Sequence, residues 1–398
     1  VNIGRSKNFI KYIIIIYNSI KKSKRLKKME YRDFGKTGIK VSKLGFGAMR
    51  LPEIKKKDKW YINEDESMLL IREAFKCGIN YIDTAYPYCH ENSEVLVGKA
   101  VNDWKGKIYI STKSPIWRLE KTSDFSMYLE KSLKKLNRDN IDFYHFHSLN
   151  EHFYEEKVLK LNLLHEAQKA KEQGLIKHIS FSFHDNPEFL KKLVDTGVFE
   201  SVLCQYNFLD KTNEEALAYA ASRGVGVVIM GPVAGGRILD LKAESIKDVN
   251  NIDLVDLAFR FVFSNKNVSM ALSGIEDMKM LKEDINIANS PESLSIKELE
   301  FIRMLHENKK IKQMIPCNDC GYCIDCPNNI PIARIFKIYN YNLLTDIKGN
   351  ARWQYSLIGN YDDRSKADQC SECGKCEENC PQNIEIIDML KKAHNSLI

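Results

Sequence analysis

At 398 residues the chain exceeds what one hydrophobic core usually organises, so a large domain with a smaller companion is expected. Its 44% apolar and 28% charged residues, with few Gly and Pro, exclude a disordered or fibrous chain. The formal charge of +7 suggests a polyanion binder until it is located: residues 1–28 carry nine basic and no acidic side chains, and without them the basic residues no longer outnumber the 53 acidic ones, so no nucleic-acid footprint remains.

That basic extension contains the apolar run Phe9 to Tyr17, interrupted by Lys11 and far short of the roughly 20 residues that span a bilayer. It reads as unstructured or non-native sequence ahead of a true start at Met29; a membrane-surface anchor or a signal peptide is the alternative, the latter lacking a small-residue cleavage site. No integral membrane segment is expected. Eight of the 11 cysteines fall in two tight groups, a metal-type distribution rather than a disulfide framework, which implies a reducing, cytoplasmic compartment.

From Met29 to about residue 290, short apolar runs alternate with helical periodicity. The expected strands are Lys43 to Phe46, Asn80 to Ala85, Ile108 to Thr112, Ile141 to His147, Lys177 to Ser182, Val202 to Tyr206, Val225 to Met230 and Val268 to Leu272. Between them lie helices such as Glu64 to Cys77, Asp124 to Leu136, Leu163 to Gln173, Pro187 to Asp195, Asn213 to Arg223 and Asp253 to Phe263, with Gly78, Gly174, Gly197 and Gly224 placed as helix stops. Strands separated by crossover helices predict a (β/α)8 TIM barrel over residues 29–290. An open doubly wound sheet would want Gly-x-Gly-x-x-Gly after its first strand, and Gly45-Phe46-Gly47-Ala48-Met49 does not supply it. Residues 291–316 read as a linker with a helix capped by Ser295 and Glu298.

In such a barrel the chemistry belongs at the C-terminal ends of the strands. Those ends carry Asp83, Lys113 and His147, with Tyr88 just past the second strand. A carbonyl that accepts hydride develops negative charge on oxygen and needs a nearby proton donor. Tyr88 is therefore the expected general acid, Lys113 the ammonium that lowers its pKa, Asp83 the partner of Lys113, and His147 the carbonyl orienter or relay. Each alone reads equally well as a packing residue; four at successive strand ends favour the catalytic reading.

At these residues the chain resembles the aldo-keto reductase family. Arg32-Asp33-Phe34-Gly35-Lys36-Thr37-Gly38 leading to Leu44-Gly45-Phe46-Gly47 is similar to the family's opening. Asp83-Thr84-Ala85 with Tyr88 and Glu91-Asn92-Ser93-Glu94 resembles its active-site segment, and Thr112-Lys113 and Asp142 to His147 resemble its lysine and histidine strands. The resemblance implies a nicotinamide cofactor, NADPH or NADH, extended across the barrel mouth, and a small carbonyl substrate. It implies that Ser182 and Gln205 hold the nicotinamide amide, that Tyr206 stacks beneath the ring, and that Gly231, Pro232 and Gly235 approach the pyrophosphate. Ser273, Gly274, Lys279 and Lys282 fall at its adenosine end, and Asp284 stands where asparagine is common.

The tail, residues 317–398, holds Cys317, Cys320, Cys323 and Cys326, then Cys370, Cys373, Cys376 and Cys380. The second group has the spacing of a bacterial ferredoxin run, in which three thiolates grip one cluster and the fourth reaches the other. The first is one residue shorter, so crossed ligation there is inferred. Eight ligands suit two 4Fe-4S clusters in a small α-rich ferredoxin-like domain, with zinc as the lesser alternative. Cys77 and Cys204 read as core and Cys89 as a possible pocket residue. Helix is expected over Ile332 to Leu344, and Trp353, Tyr355 and Tyr361 are expected to pack the tail against the barrel. The whole order resembles an aldo-keto reductase subgroup with a fused two-cluster domain. The expected function is NAD(P)H-dependent carbonyl reduction. The alternative is an electron-transfer protein whose clusters serve a ferredoxin or flavoprotein partner, the barrel acting mainly as a docking body.

Overall fold

A computed structural model describes residues 29–56, 59–241, 252–344, 348–360 and 363–398. The basic extension and Tyr361 lie outside the described residues. Eight parallel strands close on themselves: β1 (Leu44–Gly47), β2 (Tyr81–Asp83), β3 (Tyr109–Ser114), β4 (Ile141–Leu149), β5 (Ile176–Phe183), β6 (Ser201–Gln205), β7 (Gly226–Met230) and β8 (Met270–Gly274). They pair in chain order, and β8 returns to β1 through Ala271 beside Leu44. Every strand expected from the alternation is present, with ends displaced by a few residues.

The period of two along each strand sorts the barrel interior into layers. Tyr81, Tyr109, Phe143, Leu203 and Val228 form one apolar layer, closed from below by Phe34 of a hairpin (Tyr31–Asp33 with Lys40–Ser42). Phe34 meets Tyr81 edge to face at 5.9 Å. Two residues further along the same strands the inward positions turn polar: Asp83, Ser111, His145 and Gln205, then Lys113 and His147. All are buried. Such side chains are costly to bury unless they bind one another or a ligand, so the polar end of the barrel marks the site.

Gly78, Gly174, Gly197 and Gly224 have positive φ, as the helix stops require. The linker helix Ile296–Glu307 begins in a capping box in which Ser295 and Glu298 each satisfy the other's backbone. Its buried face, Phe301, Ile302 and Leu305, joins Phe208, Ile238 and Leu257 of the barrel side with Met314 at the end of the linker and Leu344 of the tail in one apolar cluster. The tail has a second core of its own, built on the helices Ile332–Leu344 and Ile386–Leu397. Tyr355 is buried in that core, its hydroxyl 2.7 Å from His394 Nδ1, and Trp353 is exposed. Neither joins the tail to the barrel: the Met314 and Leu344 seam does. No helix among the described residues is long and apolar enough to cross a membrane.

Candidate active site at the barrel mouth

Lys113 Nζ lies 2.6 Å from Asp83 Oδ1, 2.8 Å from the Thr84 carbonyl and 3.1 Å from the Tyr88 hydroxyl. Ser111 donates to the second carboxylate oxygen of Asp83 at 2.8 Å. The ammonium is thus held by three acceptors, one of them the phenol. Tyr88 opens a tight turn in which Cys89, His90 and Glu91 all have positive φ. Three successive non-glycine residues in that region cost on the order of 1–3 kcal/mol each, a strain the surrounding structure must hold. The His147 ring sits 5.9 Å from that of Tyr88 and 5.0 Å from that of Trp117.

Burial dominates the electrostatics of the site. Burial first, and then the Asp83 carboxylate, push Tyr88 well above the ordinary phenol range. Burial drives Lys113 down and Asp83 up, against their mutual attraction. His147 is pushed well below its ordinary value, chiefly by burial and then by Lys113, so it stands as a neutral imidazole.

The surprise lies above the mouth. Between Cys320 and Cys323 the tail sends Tyr322 into the site, its hydroxyl 2.9 Å from His147 Nε2 and hydrogen-bonded to Tyr88, where it favours the phenolate. Arg50 donates to the carbonyls of Asn318 and Asp319 at 3.0 and 3.3 Å. Gln382 Nε2 lies 3.1 Å from His184 Nδ1. A cavity of about 1270 Å³ remains beside this contact, lined among others by Met49, Tyr88, Trp117, Cys320, Tyr322 and Cys380. Cys89 lines it as well. Sequence reading missed Asn318, Tyr322 and Arg50; an aromatic residue wedged between two ligand cysteines, Cys320-Gly321-Tyr322-Cys323, was the available signal.

The expected cofactor residues fall into two sets. Around the mouth, Gln205 Oε1 accepts from Asn318 Nδ2 at 3.3 Å, and the Ser182 hydroxyl accepts from the Ser148 N–H at 2.7 Å. Gly231 and Gly235 have positive φ and flank Pro232, and any side chain at Gly235 would strike the Asn318 carbonyl. Tyr206 is 1% exposed, with its ring 5.3 Å from that of Phe261 and its hydroxyl on Glu214, so it belongs to the wall. Gln205 thus already binds a primary carboxamide, that of Asn318, which is the group a nicotinamide would present. The donor set fits; the space is held by the chain itself.

Further out, Ser273 donates to Asp284 at 2.6 Å, Gly274 lies against Arg50, and Lys279 and Lys282 are exposed. Burial pushes Asp284 up to about 6. The folded chain therefore holds that proton through the window from 3.8 to about 6 in which the unfolded chain releases it, and stability falls as pH rises through that window. Asp284→Asn keeps an acceptor for Ser273 without the charge. It should stabilise the protein by about 2–3 kcal/mol at pH 7.5, by the usual value of about 1.4 kcal/mol per pKa unit. Denaturant melts should show the gain vanishing below about pH 4.

None of the 11 cysteines is joined in a disulfide. Cys317, Cys320 and Cys323 line one cavity together with Cys380, whereas Cys326 shares a second with Cys370, Cys373 and Cys376, which Cys323 also borders. Cys380 thus falls beside the first cysteine group and Cys326 beside the second. Among the described residues no three Cys, His, Asp or Glu close around a single ion. Thiols spread around a hollow suit a cluster, whose ligands stand further apart than those of one tetrahedral zinc.

The model of the Aldo/keto reductase family matches residues 43–307, and that of a 4Fe-4S dicluster domain matches residues 316–385. The chain is 28% identical over 298 residues to L-galactose dehydrogenase of Arabidopsis thaliana, spanning 68% of this chain and 91% of that protein. It is 29% identical over 227 residues to the NADH-specific methylglyoxal reductase of Escherichia coli, spanning 51% and 67%. Among solved structures it resembles the holo form of aldo-keto reductase AKR11C1 from Bacillus halodurans, with a TM-score of 0.58 at 24% identity over 70% of this chain and 96% of that one, a likeness of fold. With its closed barrel, its polar mouth and a family match over most of its length, the chain belongs to the aldo/keto reductase family and carries a 4Fe-4S dicluster domain behind the barrel.

Proposed function

We propose that the protein reduces a small aldehyde or ketone with NADPH or NADH, with Tyr88 as the proton donor. The observation that carries this is the three-way contact of Lys113 with Asp83, Thr84 and the Tyr88 hydroxyl in a buried pocket. A bound nicotinamide would supply hydride, and Gln205 and Ser182 would hold its carboxamide. Tyr88 keeps its proton until charge appears on the carbonyl oxygen, then gives it up, and the adjacent ammonium steadies the phenolate left behind. His147, neutral, offers an N–H to the same oxygen and fixes its position without adding charge. The relatives' names, a dehydrogenase and an NADH-specific reductase, agree in kind with this reaction.

The test is anaerobic purification of the full chain followed by NAD(P)H oxidation with a panel of aldehydes and ketones, iron being measured on the same sample. Carbonyl-dependent oxidation is the expected result; its absence with every carbonyl, on clustered protein, counts against the reading.

The crossed cysteine sets support two clusters. Cys380→Ser should lower iron by about half and spare the set of Cys326, Cys370, Cys373 and Cys376; equal loss from both would argue against crossed ligation. A second reading, electron exchange with a ferredoxin or flavoprotein partner, is favoured by the exposure of Cys373, which leaves its set open to an outside donor. The two tight cysteine groups, read as cluster ligands, suit a reducing, cytoplasmic setting.

A further inference from the structure

We infer that the loop from Cys317 to Cys323 is a built-in stand-in for both ligands of the barrel, and that nicotinamide and carbonyl enter only when this loop leaves. The inference rests on the carbonyl-reductase reading of the same mouth.

Two side chains of one short loop reach the two halves of the site, each with the chemistry of the ligand expected there. Asn318 lays a primary carboxamide on Gln205, its Nδ2 3.3 Å from the Gln205 Oε1. Tyr322 puts an oxygen between the two groups that would grip a carbonyl oxygen: 2.9 Å from His147 Nε2 and hydrogen-bonded to the Tyr88 hydroxyl. Two oxygens cannot occupy that point together, so the phenol of Tyr322 and a substrate carbonyl exclude each other there. The backbone adds a second exclusion. The Asn318 carbonyl lies so close to Gly235 that no Cβ fits between them, on the turn that would approach a pyrophosphate.

The loop and the Cys380 turn beside it are each latched to the barrel. Arg50, three residues past the first barrel strand, donates to the Asn318 and Asp319 carbonyls at 3.0 and 3.3 Å. From the second cysteine group, Gln382 and Asn383 reach His184 at 3.1 and 3.3 Å. These are polar, partly exposed contacts of modest strength. The apolar seam through Met314 and Leu344 lies elsewhere and is fully packed. The loop and the Cys380 turn that shares its thiolate set can therefore lift as one unit while the Met314 and Leu344 seam holds. Polar latches over a mouth and an apolar hinge behind it give the closed form a way to open without undocking.

The experiment uses the full chain with clusters intact and NADPH as the probe. Binding is followed by nicotinamide fluorescence and loop motion by amide hydrogen exchange. Saturating NADPH should speed exchange across Cys317–Cys323, because the ligand displaces the loop. Asn318→Ala and, separately, Arg50→Ala should each tighten NADPH binding by about tenfold, with cluster absorbance unchanged. Tyr322→Ala should do so too and should also lower KM for the carbonyl; if it disturbs the clusters, the first two variants carry the test. If NADPH binds while the loop is unmoved or slowed and the variants bind no tighter, the inference is overturned and the reductase reading stands. If no form binds NADPH, both fall.

Discussion

Tyr88→Phe is expected to lower carbonyl turnover by about a hundredfold to ten-thousandfold, the range that a single well-placed general acid contributes. The fold should not register the change. Tyr88 sits at the start of a turn, its ring is half-buried, and phenylalanine keeps the ring face that Lys113 meets at 4.6 Å. What is lost is one hydroxyl, with its contacts to Lys113 and Tyr322. Iron content and cluster absorbance should match the wild type, since no cysteine ligand is touched. A variant that keeps more than about a tenth of wild-type kcat would remove Tyr88 from the chemistry and send the proton elsewhere. Because burial holds the phenol well above its ordinary range, wild-type turnover should not fall at mildly alkaline pH through loss of this proton.

Lys113→Met should be costly in two separable ways. The ammonium and the Asp83 carboxylate are 2.6 Å apart with side chains 1% and 5% exposed, so removing one partner leaves a charge buried without its counter-ion. Breaking such a pair costs about 3–5 kcal/mol. Turnover should also fall by about a hundredfold or more, because the phenolate left after proton transfer loses its steadying charge. The double variant Asp83→Asn with Lys113→Met separates the effects: stability should return to within about 1 kcal/mol of wild type, since no unpaired charge remains, while activity stays low. Denaturant midpoints and kcat on the same preparations give both numbers. Recovery of activity together with stability would reduce the pair to a structural role.

Much of this was legible because it rests on short-range rules. Strand alternation sorts Tyr109, Ser111 and Lys113 onto one side of one strand, and the same rule applied to Tyr81 and Asp83 brings the two charges to one end of a closed barrel. The capping box at Ser295 and the helix Ile332–Leu344 were equally local. The tail's placement was not, because no periodicity encodes which surface a small domain will cover. Trp353 and Tyr355 looked like docking residues because they are large and apolar, yet one is exposed and the other serves the tail's own core. The contacts that do close the mouth come from Asn318, Tyr322 and Gln382, polar residues whose meaning depends on what stands opposite. The burial that dominates the electrostatics of Tyr88 was likewise out of reach, because no residue spacing tells how deeply a phenol sits.

The apolar seam shared by the barrel side, the linker helix and the tail also bears on how the chain is made. Synthesis proceeds from the N-terminus, so Ile238 and Leu257 leave the ribosome well before Phe301 and long before Leu344. For that interval the newborn barrel carries a bare oily flank, and its last wall arrives only with the segment that brings the cysteines. Failure to complete the tail therefore leaves more than a missing redox module: it leaves a barrel with a sticky side, and quality control would meet that surface first.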